Sequence, residues 1–139
     1  MAAIAAAPFV LKDVTFQVGT DSYEQHVSSV RFDPQISTVS WKGLSPAANF
    51  TDTTAPTWQC TITFAQDWTT ANSLSQYLMT NAGTQKVVVF KPVGTTTGKP
   101  IFTVTLNIAP GSIGGDVDTY ATATVTMGCV SAPVKSAAP

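Results

Sequence analysis

Two stretches constrain this chain more than any other. Thr57-Trp58-Gln59-Cys60-Thr61-Ile62-Thr63-Phe64 and Phe102-Thr103-Val104-Thr105-Leu106-Asn107-Ile108 alternate apolar with small polar residues. A period of two sends every second side chain to the same face of an extended strand. Each stretch therefore has one face for a core and one lined with Thr, Gln and Asn. The pattern points to a β scaffold whose work is surface contact, and no catalytic set interrupts it.

The chain has 139 residues, which fits one domain able to bury a core without disulfides or metal. Only 11% of its residues are charged, against about 25% in ordinary soluble domains. The surface must then be made of hydroxyls, amides, glycine and exposed apolar atoms. Such a charge deficit fits a protein covered by partners in an assembly; a hydroxyl-rich secreted domain is the plainer alternative. The net charge of -1 and the scattering of Lys12, Arg31, Lys42, Lys86, Lys91, Lys99 and Lys135 exclude binding by clustered phosphate neutralisation.

Read in order, Phe9 to Val18 is a first strand, Gly19-Thr20-Asp21-Ser22 a hairpin turn, and Tyr23 to Phe32 the return strand, with a bulge at Ser28-Ser29. Residues 33–56 form a long excursion with weak periodicity, holding Ile36, Val39, Trp41, Leu44 and Phe50 among Ser, Thr, Gly and Asn. Structureless stretches of that length are usually functional or ordered by a partner, so these five residues are the candidate subunit contacts. Thr57 to Ala65 is the clearest strand. Leu74, Tyr77 and Leu78 lie at helical spacing within 71–82, with Thr69 or Thr70 as cap and Gly83 as terminator. Lys86 to Pro92, Pro100 to Ala109 and Tyr120 to Val130 are further strands. Residues 1–8 and 131–139, small and apolar with proline, are expected to be mobile arms flanking a single β domain at 9–130. The start lacks the basic and apolar runs of an export signal, and no stretch suits a membrane span.

Little chemistry is on offer. His26 is the sole histidine and is expected on a strand surface, since a metal or acid-base site needs several partners. Asp116-Val117-Asp118 after Gly114-Gly115 is the one paired carboxylate; it lacks the ordered ligand set of a calcium loop and reads as a solvated turn. Asn49-Phe50-Thr51 is a glycosylation sequon that matters only on export. Cys60 and Cys129 sit on apolar strand faces and are expected to be buried, reduced thiols. No nucleophile elbow or phosphate loop is present. The expectation is no enzyme, no metal and no cofactor. Trp58 reads as core and Trp68 as packing at the helix start. Trp41 is either folded back over the sheet or presented to a neighbour.

The segments Val39–Phe50, Thr57–Trp68, Ser73–Leu78, Val87–Pro92 and Pro110–Gly115 together resemble the major tail, or tail tube, proteins of long-tailed bacteriophages, particularly those infecting actinobacteria. The resemblance implies a mainly β fold, a two-sheet β-sandwich or barrel with one flanking α-helix. It implies subunits joined edge to edge, usually as sixfold rings, that stack through long loops and terminal arms into a tube. The partners implied are further copies of the chain, other tail proteins such as the tape measure and terminator, and viral DNA in transit without tight binding. The implied location is the virion tail, after synthesis in the bacterial cytoplasm. Tail terminators, baseplate proteins and capsid decoration proteins have a similar composition. A secreted carbohydrate-binding sandwich, using Trp41 with Trp68 as an aromatic platform, is the reading from another class.

Overall fold

A computed structural model describes residues 2–139. The fold is mainly β, a sandwich of two antiparallel sheets with one short helix beside it. Its strands are β1 (Thr15–Val18), β2 (Asp21–Ser22), β3 (Val27–Gln35), β4 (Thr38–Lys42), β5 (Asn49–Thr53), β6 (Thr57–Ala65), β7 (Gln85–Lys91), β8 (Pro100–Asn107), β9 (Thr122–Gly128) and β10 (Val134–Ala137); helix α1 spans Leu74–Thr80. One sheet has the order β10-β8-β7-β1-β2 and the other β3-β6-β9, while β4 and β5 pair only with each other.

The alternation does what its period predicts. In β6, Cys60, Ile62 and Phe64 are buried. Ala123, Val125 and Met127 of β9 continue that inner face, because Cys60 lies opposite Met127 and Ile62 opposite Val125. The second sheet supplies Phe16, Val18, Val88, Phe90, Val104 and Leu106, and α1 adds Leu74 and Leu78, all buried in the same core. Because these side chains are buried, each inner methylene is costly to remove.

At one edge the sandwich turns a corner. The chain leaving β9 crosses to the other sheet at Cys129, whose N–H donates to the Trp58 carbonyl (2.9 Å) while Val130 N–H donates to Thr105 (2.9 Å). Cys129 also bridges to Leu106. A strand that changes sheets in this way closes one side of a sandwich. At the opposite side, between β1 and β3, a cleft of about 390 Å³ stays open, lined by Leu11, Val14, Phe16, Val27, Val30 and Phe90.

Several expectations need correction. The first strand begins at Thr15, not Phe9, since its last rung is Thr15 opposite Lys91 of β7. Pro92 follows at once and has no N–H to extend the ladder. Phe9, Val10 and Leu11 are exposed. The hairpin at Gly19, which takes φ +65°, closes only onto Asp21 and Ser22. Tyr23 is then drawn into the core, its hydroxyl donating to the Asn72 carbonyl at 3.0 Å. The return strand therefore joins β6 in the other sheet. The bulge lies where it was expected, between Val27 and Ser29. Residues 131–139, expected to be mobile, instead supply β10, which covers the edge of β8 from Thr103 to Pro100. Ala138 there is buried.

The helix is seven residues long, shorter than the interval 71–82. Its N-cap is Ser73, with no side-chain capping bond, rather than Thr69 or Thr70. Those two threonines serve Asp67 instead: Thr69 N–H, Thr69 Oγ1 and Thr70 N–H all donate to Asp67 Oδ1. Hydrogen bonds from Thr70 and Thr69 hold the Asp67 carboxyl well below the usual carboxylate range. Gly83 takes the left-handed conformation just beyond the helix, at φ +84°.

Candidate assembly surfaces

The ladder of β3 and β6 ends at Gln35 opposite Thr57, but the two chains stay together beyond it. Ser37 and Thr54 exchange a backbone bond (Thr54 N–H to Ser37 carbonyl, 2.8 Å) and a side-chain bond (Ser37 N–H to Thr54 Oγ1, 3.0 Å) and so lead into the separate β4–β5 hairpin. The excursion at 33–56 is thus an ordered ribbon; its weak periodicity arises because the ribbon packs on no core. Gly43 N–H donates to the Ala48 carbonyl and closes the tip. A Cβ on Gly43 would lie 2.7 Å from that of Ala48 and 3.0 Å from the Trp41 ring, so the tip requires glycine.

Ile36, Val39, Trp41, Leu44 and Phe50 are all exposed. Register sorts them. Val39 faces Asp52 and Trp41 faces Phe50, whereas Thr38, Ser40, Lys42, Asn49, Thr51 and Thr53 point to the other side. One face of the arm therefore carries Val39, Trp41 and Phe50, with Asp52 beside Val39, and the other is polar throughout. The Trp41 and Phe50 rings stand 6.0 Å apart with an interplanar angle of 31°, a cross-strand pair that stiffens the arm. Trp41 is 63% exposed and Phe50 62%, so Trp41 is not folded back over the sheet.

The three-stranded sheet carries a second surface. Its outer face is Ser29, Arg31 and Asp33 of β3, Gln59, Thr61 and Thr63 of β6, and Thr124 and Thr126 of β9. Thr61 pairs hydroxyl to hydroxyl with Thr126 (3.1 Å), and Thr63 with Thr124 (3.0 Å). Its one cation, Arg31, contacts Asp33 at 3.2 Å, which leaves the face neutral. Among the described residues, the outer sides of β3 and β9 over this sheet have no strand partner.

A third surface lies at the far end of β6. Gln66, just past Ala65, uses its whole amide. Its Nε2 donates to the carbonyls of Gly114 (2.8 Å) and Thr122 (2.9 Å), and its Oε1 accepts from Gly114 N–H (3.0 Å) and Trp68 Nε1 (3.2 Å). Gly114 sits at φ +102°, and Gly111 packs so close to Phe64 that a Cβ would lie 2.7 Å from its ring. The glycine-rich connection is thereby pinned in shape, and it presents Ile113, Val117 and Tyr120, the last two 85% and 95% exposed. Sequence reasoning missed this surface. Its one sequence signal was the glycine spacing, which by itself reads as an ordinary turn.

The remaining candidates fall as follows. Cys60 is buried and Cys129 half-buried, both free thiols; burial, with Cys129 and Asp33 nearby, pushes the Cys60 thiol up to about 12. His26 is not on a strand surface. It occupies the turn before β3, its ring edge-on to Tyr23 at 5.6 Å, with Nδ1 buried and unpartnered. Trp58 is half-buried at the margin of the core rather than within it. Asp116 and Asp118 lie in an exposed turn, and no group of three or more potential metal-ligating side chains occurs among the described residues. Trp41 and Trp68 lie beyond opposite ends of β6, so they form no shared aromatic platform.

Fold and surface together define a mainly β two-sheet sandwich with a projecting hairpin arm. Compared with known proteins, the chain matches no family model and no curated protein sequence.

Proposed function

We propose that this chain is a structural virion protein, the tail tube subunit of a long-tailed bacteriophage, which self-assembles into sixfold rings that stack into a conduit for viral DNA. The observation that carries this reading is the β4–β5 arm. A two-stranded hairpin is marginal in water unless something packs on it, yet this one leaves its apolar face bare. An unpartnered apolar face of this kind marks a protein interaction site.

The three-stranded sheet supports the same reading. Its free outer strands, β3 and β9, are different surfaces; joining one to the other is a heterologous contact, which closes into a ring when the rotation allows. Rings built so would share one continuous sheet, and each new joint would satisfy backbone groups that an open edge leaves bare. The outer face of that sheet, hydroxyl-lined with Arg31 neutralised by Asp33, suits a wall that a polyanion passes without being held, because retention of DNA requires uncompensated cations. The low charge of the whole chain fits a protein whose surface is mostly covered by its neighbours. In this reading the protein is not an enzyme and needs no cofactor; it works in the virion tail.

Negative-stain imaging of the purified protein is the test. Rings with a central hole, alone or stacked, are expected. Uniform small particles at every concentration would overturn the proposal.

A further inference from the structure

We infer that the open cleft between β1 and β3 is a binding site for a small molecule with an apolar body and a single cationic amine head. The inference goes beyond the tail-tube reading, which gives the cleft no role, and it would hold for a chain that never assembled.

The cleft follows from the path of the chain. β1 pairs with β2 and β7, and β3 with β6, so no backbone ladder joins β1 to β3. β2 lasts only two residues before Tyr23 turns into the core, and the bulge between Val27 and Ser29 bends the start of β3. The corner at Cys129 closes the far side of the sandwich; among the described residues no strand closes this one. The opening of about 390 Å³ falls within the ~300–1,000 Å³ range of small-molecule sites. Its floor is Val14, Phe16, Val27, Val30 and Phe90, in which the two phenylalanines are buried core side chains and the valines are half-buried. An apolar body seated there removes both itself and that floor from water.

The mouth of the cleft sets the charge of the head. Lys12 and Asp13 stand on the β1 side and Glu24 on the β3 side, all three exposed. The one ion pair among the described residues is Arg31 with Asp33, so none of the three has an ion-pair partner there. Two carboxylates against one ammonium leave the mouth net negative, and a cation placed in it meets a carboxylate from each bank. An anionic head would meet the same two carboxylates as repulsion. Exposed charges attract weakly through water. The apolar floor therefore supplies most of the affinity, and the carboxylates choose the head.

Three probes of one shape and different heads test the assignment: tryptamine, its alcohol analogue tryptophol, and indole-3-propionate. Followed by amide chemical shifts in the purified protein, tryptamine should perturb residues 12–16 and 24–30, with a Kd of about 1 mM or tighter, the range of a ligand of about a dozen heavy atoms. Tryptophol should bind roughly threefold less tightly and indole-3-propionate at least roughly tenfold less. Asp13→Asn with Glu24→Gln, both at exposed positions, should abolish the preference for amine over acid while leaving tryptophol binding unchanged. Equal binding of amine and acid by wild type would overturn the inference, as would shifts that fall elsewhere or no shift at millimolar tryptamine. Shifts at Val27 and Val30 that follow protein concentration and exclude tryptamine would put a second copy of the chain in the cleft and overturn it too. Rings or tubes in micrographs of the same preparation are read separately, so either conclusion can fail while the other stands.

Discussion

Cys60 and Cys129 follow each other along one inner face, yet they differ in reach. Cys60 is fully covered beneath the sheet, whereas Cys129 sits at the corner where β9 leaves for the other sheet and keeps partial access. Under native conditions one thiol per chain should therefore react with a soluble disulfide reagent, and the second only when the protein unfolds. Two fast thiols would show that the corner or the core opens readily. Because the folded value of Cys60 stands at about 12 against an ordinary 9.0, the folded state holds this proton more firmly. The stability this supplies is complete below about pH 9 and is lost as pH rises through about 12. Cys60→Ala should flatten the alkaline decline measured by urea unfolding, while costing no more than about 3 kcal/mol at neutral pH through lost packing. The inner position of Cys60 was legible from its neighbours Ile62 and Phe64 at period two. The role of Gln66 was not, because nothing in a local pattern shows that one amide will bond to residues 48 and 56 positions further on.

At the level of elements, what was legible depended on whether an element meets the core. β6 emerged with its boundaries correct because a buried face forces strict alternation. The arm did not: β4 alternates, but over only five residues, and β5 breaks the pattern with Asp52 on the side of Phe50, since neither strand has a buried face to enforce it. β10 was missed for a related reason: it is an exposed edge strand whose place is set by backbone pairing with β8, and backbone bonds leave no signature in side-chain type. This contrast yields a prediction about two tryptophans. Trp41 packs only on Phe50 and the arm tip, so Trp41→Ala should lower monomer stability by no more than about 1 kcal/mol. Trp58 is half-buried at the core margin, and Trp58→Ala should cost more, about 2 kcal/mol or above. Assembly should rank the other way, with Trp41→Ala the more damaging at equal folded fraction. Urea melts paired with sedimentation measure both orders. If Trp58→Ala proves the worse in both, the arm is not the energetic centre of the contact.

For the whole molecule, the division of labour between sandwich and arm makes a stronger claim than any single substitution. All the large buried side chains lie in the two main sheets, the helix and their turns, and none comes from 36–55. Replacing residues 36–55 with a short Gly-Ser turn should therefore leave a folded protein, since shortening a loop costs little entropy when no core group leaves with it. Its far-ultraviolet spectrum and its unfolding midpoint should stay close to those of wild type. The lateral joints would survive if they rest on β3 and β9, so single rings should still form, while stacked tubes should not. Raising salt ought to leave wild-type tubes intact, because apolar contacts and strand pairing dominate and screening weakens chiefly exposed ion pairs. Electron micrographs of the shortened protein separate the possibilities. Rings without tubes place the arm on the axial joint. Tubes of normal length would remove the arm from assembly altogether, and a protein that cannot fold would mean that the arm steadies the β3–β6 ladder from which it extends.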